Sequence, residues 1–407
     1  MKRIFFCLAA TLLISFIADA QIINNWRGPE RDGKYAETNL LKAWPDSGPQ
    51  MLWSYETLGK GFTSAVVVNG KIYITGLEGE IGYLHILSEK GQLEKKITYG
   101  SDIFAPSGFP GPRSSPTIAG NLCYIVTGFG KLVCLDTKTD KIVWSKDLFT
   151  DFDGKNIRFS FTENLLIDGN TIYVSPGGIK NNIVALDRMT GNLIWSSEGK
   201  GEISAYCSPI LINSYGKKLL VNMMNLHTIA VDAKTGKLEW SFPYANGNKI
   251  HPNAPIYHNN SLYIFSGYGY GSQRIKINED GSQPTSIWMN KTIDPQMGGA
   301  ILLNGYIYAS GDRNRKWFCV DWETGEIKQE STELDKGTII EAEGLLYVYT
   351  EKGQLALLEP FAGGFKIISK TQIKLGSEQH WAHLVIKNGV LYVRHGNALM
   401  AFNIKNK

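Results

Sequence analysis

The sequence predicts an all-β chain, an eight-bladed β-propeller of four-stranded antiparallel blades, closed by an N-terminal strand that completes the last blade. Three observations carry this expectation. A hairpin unit recurs along the chain, an inner-strand aromatic returns about every 46 residues, and the two chain ends show complementary strand deficits.

The hairpin is clearest at residues 132–144, LVCLDTKTDKIVW. It returns as IVALDRMTGNLIW at 183–195, TIAVDAKTGKLEW at 228–240 and, more loosely, WFCVDWETGEIKQ at 317–329. Each copy alternates apolar and polar residues, turns at Asp-x-x-Thr-Gly and alternates again, the pattern of two antiparallel strands joined tightly. In the turn, Asp136, Asp187, Asp232 and Asp321 can accept backbone N–H bonds, while Gly191, Gly236 and Gly325 can take the left-handed conformation. Asp140 stands where the first copy should have Gly, an exchange Asp tolerates better than most residues.

The inner-strand positions are Tyr73, Tyr124, Tyr173, Leu220, Tyr263, Tyr308, Tyr347 and Tyr392, hence eight blades. The excess length before Tyr124 falls in a Gly/Pro-rich connection at 101–113, and 266–272 is a second irregular loop. Residues 51–56, MLWSYE, fit an outer strand with nothing before them to supply the other three; 383–386, 390–393 and 398–402 give three strands and stop. Pairing the first with the last closes the ring and leaves no open edge between the terminal blades. Trp53, Trp144, Trp195, Trp240 and Trp288 fall in fourth strands as wedges between blades; blades one, six and seven lack this Trp, with Lys95, Gln329 and Phe365 at or near the slot, so less regular packing is expected there.

The spacing of a small residue, an apolar residue, Asp-x-x-Thr-Gly and a Trp four positions after the Gly resembles the repeat of the PQQ-like β-propellers. That family includes quinoprotein alcohol dehydrogenases and the outer-membrane assembly factor BamB, and the resemblance covers nearly all of the chain after the leader. It implies the propeller fold and one of two kinds of function, a quinone-dependent oxidation or a scaffolding role.

The leader itself is a secretory signal: Lys2 and Arg3, an apolar run at 4–17, then Ala18-Asp19-Ala20 before Gln21. The expected organisation is a signal peptide at 1–20, an N-terminal lid segment at 21–50 and the propeller at 51–407. Export to the periplasm or beyond follows. No Cys follows the cleavage site, so no lipid anchor is expected, a departure from BamB lipoproteins, and no second long apolar run predicts a membrane span. A formal net charge of +4 without a basic block argues against nucleic acid or an anionic membrane as partner. A monomer is expected. Cys134 and Cys319 fill the slot that Ala185 and Ala230 occupy in sister repeats; a Cys123–Cys134 bridge is conceivable, but the hairpin count tends to put the two on opposite faces. Residues 25–33, NWRGPERDG, read as a strap held by an Arg–Asp pair and a buried Trp.

Catalytic motifs are thin. There is no Gly-x-Ser-x-Gly elbow, His-Glu-x-x-His, phosphate loop, adjacent-cysteine pair or Cys-x-x-Cys-His, and Gly267 to Gly271 lies between strands, so it is a turn. No calcium ligand or catalytic Asp maps onto a family motif. No cofactor is therefore predicted, PQQ and calcium belonging only to the alternative of a PQQ-dependent alcohol or sugar oxidoreductase. The candidate site is the channel mouth, reached by residues just before each first strand. Arg113, Tyr206, His251, His380 and His383 are the candidates for binding there, with Phe62, Thr63, Ser114, Phe161, Glu163, Met297 and Thr338 nearby. An envelope protein or a small polar or carbohydrate ligand is the expected partner. The reading is an exported binding or scaffolding protein similar to BamB, leaning away from an enzyme, with a carbohydrate-active enzyme as a further alternative.

Overall fold

A computed structural model describes residues 23–24, 26–102 and 108–406; the leader lies outside them. The described residues contain strands and turns and no helix, so none is long and apolar enough to cross a membrane. Eight sheets of four antiparallel strands form the ring. Blade 1 consists of Val66–Val68, Lys71–Glu78, Ile81–Ser88 and Leu93–Ser101, and blades 2 to 7 follow in chain order. Blade 8 takes Val385–Lys387, Val390–His395 and Ala398–Asn403 from the C-terminal end and Gln50–Tyr55 from the N-terminal end, with Trp53 opposite Ala401 and Ser54 opposite Met400. Closure by the N-terminal strand is as expected.

The recurring turn behaves as its residues dictate. Asp187 Oδ1 accepts the backbone N–H groups of Met189 at 3.0 Å and Thr190 at 2.9 Å and the Thr190 hydroxyl at 3.0 Å, and Asp232 and Asp321 repeat the arrangement. Gly191, Gly236 and Gly325 have φ of 72°, 75° and 72°, and Asp140 accepts the same region at 60°.

These turns are where blades grip each other. The indole N–H of Trp144 donates to the carbonyl of Arg188, the residue after the turn Asp of blade 3, at 3.0 Å, and the Tyr124 hydroxyl donates to the same oxygen at 3.0 Å. Trp195 and Tyr173 converge likewise on Ala233 of blade 4, at 3.1 and 3.2 Å. The ring lies flat on the turn glycine: a Cβ at Gly191 would sit 2.8 Å from Trp144, and one at Gly236 2.5 Å from Trp195. Glycine is needed here for room as well as for φ. Trp240 faces blade 5, whose connection between third and fourth strands lacks the Asp-x-x-Thr-Gly turn, and its N–H has no protein partner among the described residues.

The blades without the wedge Trp hold their neighbours by other means. Lys95 donates to the carbonyl of Thr137, again the residue after the turn Asp, at 2.8 Å and pairs with Asp140 at 2.6 Å. Gln329 spans to blade 7 by donating to the Phe365 carbonyl at 3.0 Å and accepting its N–H at 2.7 Å. In blade 7 the slot is Ser369, not Phe365: Ser369 stands opposite Leu357 at the same bulge where Trp144 stands opposite Cys134. There Trp44, from ahead of the first strand, exchanges hydrogen bonds with the Ser369 hydroxyl, its N–H donating at 2.7 Å and its carbonyl accepting at 3.0 Å. The expected irregular packing is thus replaced by three specific substitutes.

The core lies between blade faces. Cys123 packs in the layer between blades 1 and 2, Cys134 in the layer between blades 2 and 3, and all four described cysteines are buried thiols. Opposite faces explain why the two do not bridge.

Candidate functional site

At the end where the chain enters each blade, a belt of side-chain to backbone hydrogen bonds stitches neighbours together. The N–H of Ser64 donates to Ser115 Oγ at 2.9 Å, that of Ser115 to Asn164 Oδ1 at 2.8 Å, that of Asn164 to Ser208 Oγ at 2.9 Å, and that of Gly299 to Asn253 Oδ1 at 3.1 Å. The belt satisfies backbone donors that have no ladder partner and gives the channel a polar rim.

The channel is occupied by the chain's own N-terminal segment. Ile23–Asn24 pairs antiparallel with Thr117–Ala119 of blade 2, and Lys34–Tyr35 pairs parallel with Gly337–Ala342 of blade 7. Ile23 lies beside Ala119, at the exit end of that inner strand, and Tyr35 beside Ala342, at the exit end of the other, so the segment rises to the belt, turns and returns. The turn is closed by Arg31 N–H on the Gly28 carbonyl at 3.1 Å and Gly33 N–H on the Arg27 carbonyl at 2.9 Å, with Arg27 and Arg31 at φ of 63° and 59°. Their guanidinium groups reach carbonyls of several blades. Arg27 donates to Ala300 at 3.2 Å, Ile339 at 3.2 Å and the Nδ1 of His383 at 2.9 Å; Arg31 donates to Asn164 at 2.7 Å and Leu165 at 2.8 Å. The expected Arg–Asp pair does not hold the strap: Asp32 instead accepts the Lys34 N–H at 3.0 Å. Burial lowers both arginines, Arg31 to about 10, which leaves Arg31 charged at neutral pH.

Above the belt lies a cup of about 360 Å³ with walls of Phe62, Phe109, Phe159, Tyr206, Tyr268 and Trp381. Trp26 lines both this cup and a smaller cavity of about 160 Å³ deeper in the channel, so it is the partition between them. The wall of the cup is continuous: Trp381 meets Phe62 at 5.0 Å and Phe109 at 4.9 Å between ring centroids, and the Arg113 guanidinium lies 5.4 Å from the Phe62 ring. Trp26 is fixed by an edge-on contact with His383 at 5.0 Å.

Of the five residues singled out in the sequence, Arg113, Tyr206 and His383 line the cup. Arg113 bonds the carbonyls of Phe159 and, at 2.8 Å, Phe109, so it ties two aromatic loops together. Tyr206 accepts the Phe159 N–H at 3.2 Å through its hydroxyl. His383 accepts from Arg27 at Nδ1, so its Nε2–H donates to the Met297 carbonyl at 3.2 Å, and burial beside Arg27 holds its pKa well below the usual value. His380 lines an adjoining cleft of about 20 Å³, contacts the Tyr349 hydroxyl through Nδ1 and stacks on His395 at 3.6 Å; burial, then His395, lowers it to about 4. His251 is not in the cup. It is fully buried against Tyr244 at 5.5 Å, and burial lowers it to about 4, while its neighbours Ile250 and Pro252 face the cup.

Trp26, Phe109, Phe159, Tyr268, Trp381 and Lys336 line the cup without having been singled out. Trp381 lies between two of the chosen histidines, so the segment was readable and the side-chain direction was not. Lys336 contacts Asp312 at 2.6 Å, Gln296 Oε1 at 2.8 Å and Glu351 at 3.4 Å. Among the described residues no group of three or more His, Cys, Asp or Glu is placed to hold a metal ion.

The family model described as outer membrane protein assembly factor BamB matches residues 50–331. Among similar proteins, BamB of Moranella endobia is 22% identical over 298 residues, 72% of this chain and 64% of that protein. BamB of Kangiella koreensis is 28% identical over 138 residues, 34% of this chain and 32% of that protein. The chain thus spans from 32% to 64% of the length of these relatives. Among solved structures, BamB from Moraxella catarrhalis superposes with a TM-score of 0.62 at 15% identity, covering 87% of this chain and 99% of that one. Quinohemoprotein alcohol dehydrogenase from Comamonas testosteroni superposes at 0.62 with 12% identity, covering 89% and 77%. At these identities the likeness is one of fold.

Proposed function

Because the chain belongs to the BamB-type family of PQQ-like propellers, we propose that it is an exported binding protein of the cell envelope. Its role is to recognise a partner at the aromatic cup, without carrying out a reaction on it. Export is supported by the leader, and the envelope by the name its relatives carry.

The observation that carries this reading is the state of the cup's chemistry. Its arginine and lysine are committed to protein acceptors, its carboxylate, Glu351, is paired with Lys336 at 3.4 Å and Arg315 at 3.5 Å, and its histidine has both nitrogens engaged. A general base needs a nitrogen or oxygen within reach of a substrate proton, and an electrostatic catalyst needs a charge not already neutralised. What the cup offers is aromatic surface on a rigid scaffold, the composition of a recognition site.

The oxidoreductase alternative draws on fold likeness. PQQ carries three carboxylates and works with a calcium ion held by oxygen ligands. The residues present fit that group poorly: Arg113 and Lys336 would each have to leave protein partners, and no described acidic cluster suits the ion. Two experiments test the proposal. Mature protein is used to capture partners from envelope extract beside a Trp381→Ala variant, with capture expected to fall in the variant. Purified protein is also given PQQ, calcium, alcohols and a dye acceptor, with no dye reduction expected. Stoichiometric quinone uptake with turnover would replace the binding reading with the enzymatic one.

A further inference from the structure

We propose that the cup takes the ring of a neutral sugar, an inference that rests on the cup being the recognition site. Three features of the lining converge on this class. The first is the aromatic surface on two sides, with Trp381 and Phe62 at 5.0 Å forming one wall and Trp26 the floor. A pyranose presents apolar C–H faces that pack on such rings. The second is a set of uncharged polar groups with hydrogen-bonding capacity to spare. Ser64, Gln296 and Tyr268 line the cup, and the Ser64 hydroxyl, the Gln296 amide nitrogen and the Tyr268 hydroxyl make no hydrogen bond to the protein among the described residues, although Gln296 Oε1 is fixed by Lys336 at 2.8 Å. Donors and acceptors at the rim of an aromatic cup match the equatorial hydroxyls at the rim of a sugar ring.

The third feature is charge. Lys336 is held by Asp312 at 2.6 Å and by Glu351, itself part of the lining, at 3.4 Å, and Arg113 is bonded to the carbonyls of Phe159 and Phe109, so an anionic ligand would have to displace carboxylates or carbonyls already in place. A purely apolar ligand would strip water from the hydroxyls and the amide without replacing those bonds. The volume, about 360 Å³, lies at the small end of the range of about 300–1,000 Å³ typical of ligand sites, which suits a mono- or disaccharide over a longer chain lying in a groove.

The test is a titration of the full mature chain, by calorimetry and saturation-transfer NMR, with glucose, N-acetylglucosamine, maltose, cellobiose and chitobiose. Glucuronate and N-acetyltryptophanamide serve as the anionic and aromatic-side-chain probes. At least one neutral saccharide is expected to bind more tightly than both. Trp381→Ala should weaken it about tenfold or more, and Gln296→Ala severalfold, with melting temperatures unchanged. Tight binding of N-acetyltryptophanamide with none of the sugars overturns the sugar assignment and leaves the cup as a docking site for a protein side chain. Sugar binding unaffected by Trp381→Ala places the sugar elsewhere and overturns it as well. If Trp381→Ala instead lowers the melting temperature, Tyr268→Phe, which removes only a hydroxyl, serves in its place and should still weaken the sugar. Failure of every probe, with capture from envelope extract also unchanged in Trp381→Ala, removes both this inference and the recognition role of the cup.

Discussion

The ring of Trp44 lies 5.9 Å from that of Tyr347, the same contact that Trp195 makes with Tyr173 at 5.8 Å inside its own blade. Trp44 belongs to no blade. It arrives from the N-terminal segment, hydrogen-bonds Ser369 and fills the wedge slot that blade 7 leaves open. A buried aromatic cut to Ala loses its transfer free energy and leaves a cavity. Trp44→Ala should therefore cost about 3–5 kcal/mol in urea unfolding, the same range as Trp195→Ala. A cost below about 1 kcal/mol would mean that the segment merely rests on the ring.

The contrast between Trp44 and Trp195 also marks how far the sequence could be read. Trp195 was identified because it ends a repeated hairpin; its role is set by local alternation and a turn eight residues earlier, at Asp187. Trp44 sits in no repeat, so nothing within a dozen residues points to Ser369. Ring closure by residues 51–56 was legible because a missing strand at one end and a spare strand at the other are countable. Part of the cup's lining was legible to within one residue. His251 and His380 were singled out where Ile250, Pro252 and Trp381 face the cup, because pre-strand segments are irregular and no period of two says which side chain turns inward. The commitment of Arg113 and Arg27 to carbonyls was invisible, since carbonyl positions are properties of the folded backbone.

Lys95 and Asp140 form a coupled exchange. Elsewhere a Trp lies flat on a turn Gly, leaving no room for a Cβ; here Asp supplies a Cβ and the Trp is replaced by a flexible chain that reaches the Thr137 carbonyl. Lys95→Trp alone should destabilise by about 1–3 kcal/mol through overpacking against Asp140. Asp140→Gly added to it should recover that loss, a positive coupling in a double-mutant cycle. Additive effects would show that the two positions vary independently.

Glu163 is buried, and burial pushes its carboxyl up to about 8, against the opposing pull of its bond from Ser175 and the charge of Arg31. The folded state then holds a proton that the unfolded chain releases near its ordinary value of about 4.3. Between about pH 4.5 and 8 the native state binds more protons than the unfolded state, so stability falls as pH rises through that window. Glu163→Gln keeps an acceptor for the Ser175 N–H and removes the titration. Its melting temperature should gain on wild type steadily from pH 5 to pH 8; a constant difference would place the proton elsewhere.

His383 runs in the opposite direction. Arg27 donates to its Nδ1 at 2.9 Å and the Met297 carbonyl accepts from its Nε2 at 3.2 Å, so the neutral Nε2–H tautomer satisfies both contacts, and a proton on Nδ1 would face a guanidinium. Burial, then Arg27, holds its pKa well below that of a free histidine. Below about pH 6.5 the unfolded chain takes up a proton that the folded one refuses, so this residue's contribution is present above that value and is lost as pH falls. Nitrogen-15 shifts of His383 should report a neutral Nε2–H ring at pH 5. Arg27→Lys should be costly even though charge is kept, because one ammonium cannot reproduce a planar fork bonding Ala300, Ile339 and His383 together. Leaving buried acceptors unpaired costs about 1–3 kcal/mol for each group. A loss of at least that size in urea unfolding is expected, accompanied by loosening of Trp26, whose edge rests on His383, and so by weaker binding in the cup. Full stability with wild-type binding in Arg27→Lys would show that Arg31 and the two short strands hold the N-terminal segment without the Arg27 fork.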